Sequence, residues 1–157
     1  MGTAHLIIMS NNLLENFVHK GKTLAVILRT AYHNDGIKFF TEDDFTQQIA
    51  YMNRPKGYVI VPHIHNPVKR VVKYTKEVLF IKSGRVRVDF YDDDKSYLES
   101  RILHQGDVVL LAFGGHGFEM LDESEIIEVK QGPYVGEADK VRFQPIPVNQ
   151  IILKETL

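Results

Sequence analysis

The chain has 157 residues, 44% hydrophobic and 25% charged, with a formal net charge of −1. That length suits one domain burying about two-thirds of its unfolded surface, and the balanced charge gives no bulk attraction to nucleic acid or anionic membranes. There is no cysteine, which excludes disulfide scaffolds, zinc–thiolate sites and thiol nucleophiles and fits a cytoplasmic setting.

In chain order, the apolar stretch Leu6 to Met9 is too short for a signal core or a membrane span. Leu6 also stands where myristoylation needs Ser or Thr. Leu24 to Tyr32 reads as a buried strand ending in the turn Asn34-Asp35-Gly36. Thr41 and the acids Glu42, Asp43 and Asp44 resemble a helix N-terminal cap, and Phe45, Ile49 and Met52 fall at near-helical spacing. A short amphipathic helix is therefore expected over Glu42 to Met52. Strands follow at Tyr58–His65, Glu77–Lys82, Arg85–Tyr91, Leu98–Leu103, Val108–Ala112, Phe118–Leu121 and Ile126–Lys130, punctuated by Ser83-Gly84 and the Asp92–Lys95 turn. This pattern predicts an all-β sandwich or barrel. Residues 1–56 form a lead-in to the same domain, 57–132 the barrel core, and 133–157 an extended tail with three prolines.

The chemistry-bearing residues gather in the middle. In Val59-Ile60-Val61-Pro62-His63-Ile64-His65, residues two apart share a strand face, so His63 and His65 project together beside Val61. Glu77 shares a face with Leu79 and Ile81, and a carboxylate on an apolar face needs a partner, a proton or a metal. His116 lies in Gly114-Gly115-His116-Gly117, with Phe118 and Met120 on its face as a greasy pocket lining. Taken singly, each has a plainer reading: exposed histidines at a strand end, a solvated Glu77 paired with Lys73 or Lys76, and a histidine in a glycine loop. Together, three imidazoles and a carboxylate suit one divalent transition metal, with Fe, Mn, Ni and Zn all compatible. Arg85, Arg87, Asp89 and Tyr91 alternate with Val86, Val88 and Phe90 and read as a solvent face. In the reversed register the two arginines would line the cavity and bind an anionic substrate. Lys69, Arg70 and Lys73 read as a solvated loop, His104 as exposed, and His5, His19 and His33 as surface or fold residues.

At these residues the chain resembles the cupin superfamily. Gly57, His63, His65, Glu77 and Gly84 match that family's first motif, and Gly106, Asp107, Gly114 and His116 its second. Eleven residues, 66–76, separate His65 from Glu77, more than the family usually has. The resemblance implies a double-stranded β-helix (jelly-roll) barrel with His63, His65, Glu77 and His116 as metal ligands, and a homodimer. It extends to small bacterial cupins of surface-polysaccharide or sugar-nucleotide pathways. Three functions stand open at this point. One is a metal-dependent cupin oxygenase or isomerase acting on a small molecule such as a sugar derivative. Another is a metal-free nucleotide-sugar isomerase or epimerase with a histidine base. The third is a non-catalytic module holding a small ligand.

Overall fold

The computed structural model describes residues 13–154, so Met1-Gly2, His5 and the Leu6 to Met9 stretch lie outside the described residues. Ten strands run in chain order: β1 (Leu14–His19), β2 (Lys22–Leu28), β3 (Gly36–Phe39), β4 (Ala50–Asn53), β5 (Glu77–Ser83), β6 (Arg85–Tyr91), β7 (Tyr97–His104), β8 (Val108–Leu111), β9 (Gly115–Met120) and β10 (Glu125–Lys130). All named strand pairs are antiparallel. They form a five-stranded sheet, β1-β2-β8-β5-β10, a three-stranded sheet, β7-β6-β9, and the β3–β4 hairpin. The fold is all-β, and its sheets do not close into a barrel.

The two larger sheets face each other across one core. Ala25, Ile27, Leu79, Ile81, Val109 and Leu111 of the five-stranded sheet meet Val86, Val88, Phe90 and Leu103 of the three-stranded one, all buried. Strict alternation in β6 follows from this: Val86, Val88 and Phe90 point inward, and Arg85 and Arg87 point out. The reversed register is thereby ruled out. The opposite face of the five-stranded sheet is apolar as well. There Val26, Leu110 and Ala112 are covered by Ile49, Phe40 and Phe45, which explains why β2 is buried on both faces. At the β5–β6 turn, Gly84 has φ +79°, and a Cβ would meet the Glu123 carbonyl at 2.4 Å, so only glycine fits.

The helix expected over Glu42 to Met52 is absent. One turn forms, with Phe45 N–H donating to the Glu42 carbonyl, and the chain then enters β4. A segment this short gains little as a helix in isolation, whereas pairing with β3 satisfies its backbone. Ile49 also receives the Phe40 N–H, and both side chains cover the sheet. The helical spacing of Phe45 and Ile49 thus marked burial and not its geometry.

The strand expected at Tyr58–His65 is likewise absent: residues 54–76 carry no strand, and 54–74 are exposed throughout. Among the described residues, no backbone–backbone hydrogen bond joins Val59 to Lys73. β1, β3 and β4 were not anticipated. Beyond β10 the tail crosses the outer face of the three-stranded sheet, where Phe143 stacks edge-on against Tyr91, Ile146 N–H donates to the Tyr91 hydroxyl, and Leu153 bridges Ser100.

Candidate functional site

One side of the sandwich is sealed by charge. Glu15 of β1 accepts from Arg29 Nη2 at 2.7 Å and from Arg101 Nε at 2.8 Å, while Arg101 also donates to Glu99. Arg29 Nη1 donates to Asp107 and to the Ile102 carbonyl, both at 2.8 Å. Asp107, almost fully buried, further accepts the backbone N–H groups of Thr30 and His104. Removing a partner from such a cluster leaves a buried charge uncompensated, so the network fixes β1 against β7.

The other side, between β9 and β10, is open. Among the described residues both strands end their sheets, with no further strand paired to them. Glu77 opens β5, beside Lys130 and Leu111, on the same face as Leu79 and Ile81. His116 pairs with Phe90, and Phe118 with Val88, so the β9 side chains His116, Phe118 and Met120 also face inward. The carboxylate and the imidazole therefore come from opposed sheets and meet: His116 Nε2 lies 3.1 Å from Glu77 Oε2. Gly114 makes this possible, with φ +76° and a hypothetical Cβ only 2.5 Å from the Tyr91 carbonyl. The hydrogen bond from His116 holds the Glu77 carboxyl below its ordinary pKa against the opposing effect of burial, with Lys130 adding to the lowering.

Lys130 is a member of this cluster that sequence reasoning missed. Its Nζ lies 3.7 Å from Glu77 and 2.6 Å from Glu128, and the Glu128 pairing raises its pKa. The signal was present in β10, where Ile127 and Val129 are exposed and Glu128 and Lys130 share the inward face with Ile126. Polar residues on the inner face and apolar ones outside invert the usual pattern and mark a site.

The remaining candidates separate. His63 and His65 sit on the exposed 54–74 segment, their rings 5.2 Å apart, with His63 Nδ1 2.9 Å from the Val61 carbonyl. Among the described residues, the only three metal-ligating groups with ligand atoms within 4.8 Å of one another are Asp92, Asp93 and Asp94. Within one chain, then, Glu77 and His116 are brought together and the HxH pair is not. The Asp92 carboxylate accepts the Asp94 and Ser96 N–H groups and pairs with Lys20, a turn-forming role. Leu79 and Ile81 are dry core beneath Glu77, Phe118 and Met120 are partly exposed at the open side, and Val61 is exposed beside the histidines. Arg85 pairs with Asp122 at 2.6 Å; Arg87 pairs with Asp89 at 2.8 Å and with Glu119, both on the outer face. His104 is exposed, His33 is exposed near Asp35, and His19 lies 3.9 Å from Asp92.

A concavity of about 600 Å³ lies away from this pair, on the outer side of the five-stranded sheet, where Lys22, Lys73 and Lys76 stand among Phe45, Tyr74 and Phe113. No family model, curated protein or solved structure matches this chain. No helix among the described residues is long and apolar enough to cross a membrane.

Proposed function

We propose that this chain is a metal-binding protein of cupin type that acts on a small molecule, a sugar derivative in the first instance, with His63, His65, Glu77 and His116 as the ligands of one divalent transition metal. The observation that carries the reading is the meeting of Glu77 and His116 across the open side of the sandwich. Two donors from opposed sheets point at each other there, both partly accessible, and the carboxyl is held ionised, as a ligand must be. The donor chemistry fits: imidazoles with one carboxylate bind Fe, Mn, Ni or Zn. A jelly-roll barrel would result if a further strand closed the gap beside β9.

Bound there, the metal would supply a Lewis acid or an oxygen-activating centre with coordination positions left for substrate. The chain's own residues do the rest. The Glu77 and His116 side chains hold each other in place across the gap, His116 Nε2 lying 3.1 Å from Glu77 Oε2. Lys130 offers a cation to an anionic or hydroxylated substrate, and Phe118 with Met120 forms the apolar wall. A metal-free reading draws on the same contact, since a histidine oriented by a carboxylate is also the geometry of a general base.

Metal content by plasma mass spectrometry, on protein purified without chelator, separates the two. About one equivalent is expected in the parent, with strong loss in His63→Ala and His116→Ala and none in His104→Ala. Unchanged metal in His116→Ala would sink the assignment, and a parent without metal after incubation with Fe, Mn, Ni and Zn favours the general base.

A further inference from the structure

Residues 54–74 form an arm whose stretch from Val59 to Lys73 makes no backbone–backbone hydrogen bond among the described residues. Nine of its large apolar side chains, from Tyr58 to Tyr74, are exposed, with Ile64 at 90%. So many exposed large apolar side chains within one segment point to an interaction surface. Among the described residues the arm has no strand partner and no further strand pairs with the outer edges of β9 and β10, beside which Phe118, Met120, Ile127 and Val129 are exposed. Free edges of this kind accept an added strand. Charge matches as well. The arm holds Arg54, Lys56, Lys69, Arg70 and Lys73 with no acid, and residues 117–129 hold Glu119, Asp122, Glu123, Glu125 and Glu128 with no Lys or Arg.

The arm is held away from its own gap. Its return leg lies along the outer face of the five-stranded sheet, where Val71, Lys73 and Tyr74 line a cleft with Phe45, Lys76 and Ala112. Tyr74 stacks edge-on against Phe113 at 5.7 Å, Lys76 Nζ sits 4.2 Å from the Phe45 ring, and Lys76 N–H donates to Gln131 at 2.7 Å. Glu77 and His116 face the opposite side of that sheet. From Tyr74 back to His65 the extended chain reaches roughly 30 Å, enough to enter a neighbouring molecule.

We infer that two copies of this chain exchange arms: each arm adds as a strand to the free β9 edge of the other copy, and its His63 and His65 complete the site begun there by Glu77 and His116. This rests on the metal-site reading above. In that position Val59 and Val61, on the histidine face, cover Phe118 and Met120, and each subunit contributes about twenty residues, the size of a standard interface side.

Mixed dimers test it. A His63→Ala/His65→Ala chain and a Glu77→Ala/His116→Ala chain are co-expressed with different tags, and the doubly tagged species is loaded with Zn²⁺ and assayed for metal. Exchange predicts no metal in either variant's own dimer and half the parental occupancy in the mixed dimer, because one of its two sites is whole. An empty mixed dimer beside a loaded parent overturns exchange and leaves the four-ligand site standing on one chain. Metal retained in both variant dimers, or absent from the parent, overturns the site reading instead. Sedimentation then decides exchange independently: the parent runs as a dimer and Val61→Asp/Ile64→Asp as a monomer. A monomeric parent, or a dimer that this variant leaves intact, overturns the exchange.

Discussion

The two sides of the sandwich solve the same problem differently. Between β1 and β7 the chain seals itself with Glu15, Arg29, Arg101 and Asp107, charges satisfied within one molecule. Between β9 and β10 it leaves the Glu77–His116 pair partly accessible, and the apolar residues of 58–74 stand exposed on a segment without strand structure. A side closed by buried charge is rigid and chemically silent. An open side leaves its polar groups within reach of solvent, as the partial exposure of Glu77 and His116 shows.

The largest expected effect breaks the sealed side. Asp107→Ala leaves Arg29 short of one carboxylate and two backbone N–H groups without their acceptor, and should cost about 3 kcal/mol or more in urea unfolding. Phe90→Ala, at a fully buried ring against Phe17, should cost about 3–5 kcal/mol by the same measurement. Each is a large fraction of a domain's stability, and neither loss should vary with protein concentration.

The arm should behave in the opposite way. Ile64→Ser should lower the unfolding free energy from urea titration by no more than about 0.5 kcal/mol in dilute protein, where chains are separate. At high concentration the loss should grow, because association adds to apparent stability by mass action. A loss equal at every concentration would place Ile64 in its own domain's core and erase the contrast between the two sides.

The smallest effect concerns the open pair. The Glu77 pKa is depressed in the folded state, so its contribution is fully present above the unfolded value of about 4.3 and is lost as pH falls through the lower folded value. Thermal melts of the parent and Glu77→Gln should differ most above about pH 5 and converge in acid. A gap that widens toward acid would mean that the carboxyl is not stabilised in its charged form.

Much of the sheet architecture was legible. β6 and β7 read directly from alternation and turn chemistry, and Gly84 and Gly114 stand where the backbone turns sharply. β1 was not picked out, since of its six residues only Glu15 is buried, although just Lys20 and Gly21 separate it from β2, its partner. The expected strand at 58–65 has the right alternation and no partner among the described residues, so pattern there records a capacity for pairing, not a pairing made. Glu77 and His116 were singled out by residue type and face, and the structure brings them into contact, whereas Lys130 beside them was passed over because its strand alternates the wrong way round.

By itself the sequence determined the all-β class, the inward set of β6 and the residue types able to bind a metal, because strand period and side-chain chemistry are local properties. Only the tertiary structure decided that Glu77 and His116 meet, that charge seals one side, and that the His63–His65 arm stands apart. Those are contacts between residues distant in the chain, set by which edges find partners and which faces find cover, and no local pattern encodes them.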